Sequence, residues 1–118
     1  MLARLLSSFE SGTITVSVNN FPFMKVDSDS KKVAIEMRGF QESGLHFADL
    51  IETVNADKGV IQTIKQATGL AQSLQREGWG VRIFEGKDPL IAIGSGVSPL
   101  FGFVWFNPLM LPKISKLI

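Results

Sequence analysis

Apolar and polar side chains alternate in the first third of the chain. Two segments show this pattern, namely residues 13–18 and 33–37, and residues 21–26 between them form a third predicted strand, in which Pro22 is restricted to the first residues or to an edge. A period of two is typical of β-strands with one buried face. The segments are connected by Asn19-Asn20 and by the polar run 27–32, and such connections are typical of tight turns. The pattern therefore predicts an antiparallel meander of three strands.

The middle of the chain changes to helical periodicity. Ser43 is placed to cap a first helix, whose apolar side chains at positions 47, 50, 51 and 54 lie three and four residues apart. Asp57 is placed to cap a second helix, in which apolar residues recur at helical spacing from Val60 to Leu74. Gly78 follows at the position where a left-handed residue commonly ends a helix. Two successive helices are predicted here.

Strand patterns return after the second helix. They cover residues 81–83, 90–93 and 100–106, and a last helix is predicted from about Pro112. Residues 2–9 fit a short helix before the first strand. The chain thus predicts a single α+β domain over residues 1–118. We expect a mainly antiparallel sheet of about six strands in two meanders, in the order βββ-αα-βββ-α, with the helices packed on one face.

The order of elements in the first half recurs in the second half. Sliding the chain along itself until Pro22 meets Pro89 also brings Ser28 onto Ser95. The same shift matches the apolar patterns of residues 12–51 and 79–118, although the identity between them is close to chance. We treat an internal repeat as a hypothesis, under which two three-stranded halves join into one six-stranded sheet.

The run 89–112 contains no charged side chain. It is long enough to cross a bilayer, since about 20 apolar residues suffice. The four prolines and three glycines of the run, however, would repeatedly interrupt a transmembrane helix. The positions of these prolines and glycines predict two strands and a tail instead, with no transmembrane segment.

The second of these strands is apolar on both faces. One face carries Leu100, Val104 and Phe106, and the other carries Phe101, Phe103 and Trp105. An antiparallel sheet covered by one layer of helices needs only one apolar face. The aromatic set therefore needs a second cover: the chain's own C-terminal segment, a second copy of the protein, or an apolar ligand held in a cavity.

Composition narrows the classes of partner. The net charge is +1 and the basic residues are scattered along the sequence, so no nucleic-acid partner is predicted. The absence of cysteine excludes disulfides, thiol nucleophiles and cysteine-ligated metals. The N-terminal segment lacks the long apolar stretch of a secretory signal, which favours a cytoplasmic location. No cofactor is predicted.

His46 is the only histidine, and Asp49 follows it by three residues on the predicted helix. A carboxylate at that spacing can orient an imidazole as a general base requires. No serine or threonine can be assigned as a nucleophile, and one histidine with nearby acids is too little for a metal site. We favour a partly exposed histidine without a catalytic role, and His46 and Asp49 remain the only catalytic candidates.

Trp79 lies between Gly78 and Gly80 at the junction of a predicted helix and strand. Large aromatic side chains at such junctions are mostly part of the core, but flanking glycines also allow a ligand to approach. Trp79 is therefore a further candidate for an interface or for contact with an apolar ligand.

These patterns favour a non-enzymatic binding or assembly module that forms a homodimer through the face carrying Phe101, Phe103 and Trp105. The first alternative is a carrier of an apolar small molecule or lipid in a cavity lined by those aromatic side chains. The second alternative is an enzyme or enzyme subunit that uses His46 with Asp49.

Overall fold

Six strands form one sheet and follow one another across it in chain order. The computed structural model describes residues 2–9, 11–45, 50–51, 59–97 and 104–117. The strands are β1 (Thr13–Val18), β2 (Phe21–Asp27), β3 (Lys32–Glu36), β4 (Gly80–Glu85), β5 (Asp88–Gly94) and β6 (Val104–Phe106). Neighbouring strands are antiparallel except β3 and β4, which are parallel. The predicted single α+β domain with a mainly antiparallel six-stranded sheet is confirmed.

Four α-helices accompany the sheet in the described part of the chain. They are α1 (Leu2–Ser8), α2 (Met37–Glu42), α3 (Gly59–Glu77) and α4 (Leu111–Leu117), and a 3₁₀ turn (Pro108–Met110) precedes α4. Their buried side chains belong to one core cluster with the inner residues of the strands. The helical members are Leu2, Leu6, Met37, Phe40, Ala67, Ala71, Leu74 and Ile114.

The third strand ends earlier than its apolar pattern suggests. Met37 was expected in the strand, but it is the first residue of α2 because the Glu36 side chain caps the helix, its Oε1 accepting a hydrogen bond from Arg38 N at 3.0 Å. The Phe40 ring then packs against the Phe23 ring, with centroids 5.2 Å apart. Ser43 was expected to begin a helix, and it lies instead at the C-terminal end of α2.

Helix α3 ends as its sequence predicts. Gly78 adopts a φ of +82°, and its N–H donates to Gln75 O at 3.1 Å. The N–H of Trp79 donates to Leu74 O at 2.8 Å, which completes a Schellman motif. At the C-terminal side of the sheet, Asn107 Oδ1 accepts from Leu109 N at 3.0 Å and caps the 3₁₀ turn. Helix α4 follows directly, in agreement with a start near Pro112.

The hairpins β1–β2 and β4–β5 share the same register. Thr13 pairs with Asp27 as Gly80 pairs with Gly94, and each later pair in one hairpin has its counterpart at the same offset in the other. Both ladders shift at the same place, after Val16 and after Ile83. This offset is the one that aligns Pro22 with Pro89. The two hairpins therefore have the same residue pairs and the same bulge position, although their side chains differ.

The third strands do not keep this offset. Met24 pairs with Ile35, whereas its counterpart Ile91 pairs with Phe106, so β6 corresponds to β3 at a slightly larger offset. The second half therefore has a longer connection between its second and third strands. Descent of the two halves from one duplicated unit stays a prediction.

Gly94 occupies a position that only glycine fits. Its φ is +90°, and a Cβ atom there would collide with the carbonyl oxygen of Trp79 and lie 3.0 Å from the Cβ of Leu74. Gly12 has a similar φ of +94°, but a Cβ atom there would meet nothing within 4 Å. A side chain at position 12 would therefore add backbone strain alone, whereas one at position 94 would add both strain and a steric collision.

We expect Gly12→Ala to lower the free energy of unfolding by about 1 kcal/mol, because it adds backbone strain alone. Gly94→Ala should lower it by about 3 kcal/mol, because the collision adds an overpacking penalty. Urea unfolding of both variants measures the difference. Equal losses would contradict the close packing of α3, β4 and β5 around Gly94.

Candidate functional site

The side of the sheet away from the helices is the candidate functional surface. Along each strand, residues that alternate with the core positions point to this side. We call it the outer face; its described members are Thr13, Thr15, Lys25, Asp27, Lys32, Ala34, Gly80, Arg82, Phe84, Ala92 and Trp105. Most side chains of β1 to β4 on this face, including Lys25, Ala34 and Arg82, are exposed, whereas Asp27 and Phe84 are half-buried. No helix in the described part of the chain covers them.

One row of the outer face crosses the whole sheet. Its members pair in the order Thr15, Lys25, Ala34, Arg82, Ala92 and Trp105. Charged residues occupy the β2 and β4 positions, and uncharged residues occupy the β5 and β6 positions. The face is therefore basic at its centre and apolar at the β6 edge.

Trp105 lies at the apolar end of this row. It is half-buried and pairs with Ala92, whose exposed fraction is only 2%. Its strand neighbours point to the other side: Val104 belongs to the core and Phe106 packs against it. Trp105 is thus an aromatic side chain on the face opposite the helices. Phe101 and Phe103, predicted to share this face, lie outside the described residues.

Three basic side chains from different strands surround a shallow groove of about 450 Å³ at the centre of the outer face. They are Lys25 on β2, Lys32 on β3 and Arg82 on β4. The small residues Ala34 and Gly80 also line the groove. A Cβ atom at Gly80 would lie 2.7 Å from the carbonyl oxygen of Ser95, so this position too requires glycine. A second groove of about 310 Å³ lies beside it, lined by residues that include Pro22 and Phe84.

Asp27 is the carboxylate of the central groove, and it is held by the turn that follows β2. Its Oδ1 accepts a hydrogen bond from Asp29 N at 3.0 Å. The pKa of Asp27 is lowered from its ordinary value, first by a hydrogen bond from the Ser30 side chain and then by the backbone N–H groups of Asp29 and Ser30 and the charge of Lys25. These contributions outweigh the opposing effect of desolvation. The carboxylate therefore stays ionised and offsets part of the basic charge.

Trp79 lies in the core rather than on the outer face. Its exposed fraction is 7%, and its ring centroid lies 6.4 Å from that of Phe9. Its carbonyl oxygen accepts a hydrogen bond from Ser95 N at 2.7 Å, which ties the start of β4 to the end of β5. Trp79 therefore belongs to the core, whereas Trp105 belongs to the outer face.

The catalytic candidates His46 and Asp49 lie outside the described residues. Within the described ranges, no group of three or more His, Cys, Asp or Glu side chains is placed to hold a metal ion. Nor does any helix of these ranges have the length and apolar character needed to cross a bilayer.

The basic groove is the feature that sequence analysis missed. Lys25, Lys32 and Arg82 each occupy the polar position of an alternating strand pattern, which was the available signal. Their convergence depends on the parallel pairing of β3 with β4, which places Arg82 opposite Ala34. Alternation within one strand gives the face of a residue but not its neighbours on other strands.

No protein-family model, curated protein or solved structure matches this chain. The outer face and the edges of the sheet are therefore the features of this protein that indicate a function.

We expect Ser30→Ala to raise the pKa of Asp27 toward its ordinary value of 3.8, because the largest stabilising hydrogen bond is lost. Carboxyl carbon chemical shifts followed by NMR through an acid titration measure this change. Stabilisation of the fold by the ionised Asp27 is present above the ordinary pKa and is lost as the pH falls through the lowered pKa.

Ser28→Ala is the matched control for this titration. The Ser28 Oγ accepts a hydrogen bond from Gly12 N at 2.9 Å and is not among the groups that shift the pKa of Asp27. An equal change of the Asp27 pKa in both variants would show that the general conformation of the turn, rather than the Ser30 hydroxyl, lowers it.

Proposed function

We propose that this protein is a non-enzymatic assembly module that self-associates through the β6 end of its outer face. The observation that carries the proposal is the position of Trp105. This large aromatic side chain lies on the side of the sheet opposite the helices, in a strand without charged residues. Partly exposed aromatic side chains on an uncharged strand are typical of protein–protein contact surfaces.

The energy available from Trp105 is sufficient to matter. A tryptophan side chain buries up to about 250 Å² in a core. Covering roughly 60 Å² that a half-buried ring leaves exposed stabilises a contact by about 1.5 kcal/mol. That is about one order of magnitude in a dissociation constant, as expected for a residue that contributes measurably to an interface.

The distribution of charge on the outer face fits this location. Lys25 and Arg82 lie toward the middle of the sheet, while Ala92 and Trp105 lie at the β6 end. Interfaces commonly have an apolar centre and a charged rim, because a charged side chain at the rim keeps its hydration. A contact centred on Trp105 can leave the basic side chains at its margin.

The two alternative functions depend on other residues. A carrier of an apolar molecule requires a cavity lined by the aromatic set, but Trp105 lines neither of the two grooves described above. The larger groove is lined mainly by basic, polar and small residues, and the smaller one by apolar residues that include Phe23, Met24 and Phe84. An enzyme would require His46 and Asp49, which lie outside the described residues. Self-association is the function that the position of a described side chain, Trp105, supports.

We expect the protein to be oligomeric at about 10 µM, the concentration range of moderate self-association. Trp105→Glu should shift it to the monomer, because a carboxylate would have to be desolvated in the contact. Analytical ultracentrifugation with light scattering measures the mass of both proteins.

Gln72→Glu on α3 is the control, because it adds the same charge at an exposed position of a helix. It should leave the oligomer unchanged. A monomeric wild-type protein, or a Trp105→Glu variant with the mass of the wild type, would overturn the proposal.

A further inference from the structure

The sheet has two unpaired edges among the described strands, β1 and β6. Both lack charged residues and proline: β1 is TITVSV and β6 is VWF. Soluble proteins usually protect an edge strand with charge, proline or a covering element, because its free N–H and C=O groups can pair with another strand. Two uncharged edges at opposite sides of one sheet suggest that each has a partner.

Within the chain, two strands that would be edges of the separate halves already pair with each other. Strand β3 is the third strand of the first half, β4 is the first strand of the second half, and they pair in parallel. The shared register of the hairpins makes β1 the counterpart of β4. The pairing of the third strands makes β6 the counterpart of β3. Among the described strands, one such junction is therefore used within the chain, and one matching pair of edges is left unpaired.

The cap after each third strand supports the second correspondence. Glu36 follows the core residue Ile35 and accepts a hydrogen bond from the N–H two residues later, at 3.0 Å. Asn107 follows Phe106 and accepts the same bond from Leu109 N, also at 3.0 Å. The strand, the capping residue and the helical turn thus occur in the same order at β3 and at β6.

Core-facing residues of β1 are more exposed than their counterparts on β4, as expected for a strand that has a neighbour on one side only. Val81 and Ile83 on β4, which has β3 beside it, are 1% and 0% exposed. Their counterparts Ile14 and Val16 on β1 are only half-buried, although both pack against the core. The inner face of the sheet therefore presents partly uncovered core residues at the β1 edge.

The β6 edge shows the same incompleteness. Phe106 is half-buried, whereas its counterpart Ile35 is 1% exposed. Beyond the strand, Leu109 and Leu111 are 87% and 49% exposed. Helix α2, which follows β3, contacts the next unit at β4. The residues that follow β6 have no such unit beside them in the described chain.

We propose that copies of this chain join head to tail, with β6 of one copy pairing in parallel with β1 of the next. This inference rests on the proposed function: it names the second surface of the contact made by Trp105. Transferring the internal register Val33↔Val81, Ala34↔Arg82 and Ile35↔Ile83 gives the pairs between copies. They are Val104 with Ile14, Trp105 with Thr15, and Phe106 with Val16.

The junction between copies is weaker than the junction within the chain. Glu36 uses its second carboxylate oxygen to accept a hydrogen bond from Gly86 N at 3.0 Å, which ties the two halves together. Asn107 stands in the place of Glu36, and its single side-chain oxygen already accepts from Leu109 N. Association is therefore reversible, and because different surfaces meet, it closes into a ring or grows as a filament.

Cysteine cross-linking tests the register, because the sequence contains no cysteine. Opposite residues on paired strands lie about 5 Å apart, within the range of a disulfide. Because Trp105→Cys itself weakens the proposed contact about tenfold, the Thr15→Cys and Trp105→Cys proteins are mixed at about 100 µM, tenfold above the concentration used for the wild-type protein. This mixture should form a covalent dimer under mild oxidation. Thr13→Cys mixed with Trp105→Cys is the matched control. Thr13 is exposed on the same face of β1, but it is displaced by two residues, about 8 Å from the partner, and the dimer band should be lost.

Thr15→Glu is a second test that keeps the tryptophan intact. It places a charge on the β1 edge and should shift the oligomer to the monomer as Trp105→Glu does. Oxidation of Trp105→Cys alone to a covalent dimer, or an unchanged mass of Thr15→Glu, would show a symmetric contact through the outer face. Either result would overturn the head-to-tail junction and leave self-association standing. A monomeric wild-type protein would overturn both.

Discussion

The parallel pairing of β3 with β4 is the interaction on which the rest of the structure depends. It joins two three-stranded units into one sheet, and it is extended by hydrogen bonds from Gly80 N to Lys31 O and from Gly86 N to Glu36 Oε2. Parallel neighbours cannot be connected by a tight turn, so the chain between them must cross the sheet. The described helices α2 and α3 of this crossover pack on the same side of the sheet as the core. Among the described residues, no helix packs on the opposite side of the sheet.

This arrangement also explains why the two halves, similar in register, have different surfaces. A unit with one neighbour has one covered edge and one open edge, so Ile14 and Val16 are half-buried whereas Val81 and Ile83 are buried. The same parallel pairing aligns Lys25, Ala34 and Arg82 in one row and creates the basic groove. A basic centre and an aromatic edge on the outer face thus follow from one junction between strands.

Much of the fold is predictable because its local signals agree with its packing. Alternation of apolar residues gave the strands, and helical spacing with Gly78 gave the end of α3. Met37 and Ser43 were exceptions. The apolar side chain of Met37 suits a strand or a helix equally, because it is buried in either. The Glu36 cap and the contact between Phe23 and Phe40 decided for the helix. A contact between rings on separate elements carries no periodic signal in the sequence.

By itself, the sequence determined which side chains of β1, β3 and β4 face the core, because only one face of each of these alternating strands is apolar. For β6 it determined that Trp105 lies on the side opposite Val104 and Phe106, and it indicated the offset that relates the two hairpins. Only the tertiary structure decided that β3 and β4 are neighbours and parallel, and consequently that β1 and β6 are the edges. Strand order depends on contacts between distant segments, and local patterning is the same for an edge strand as for a central one.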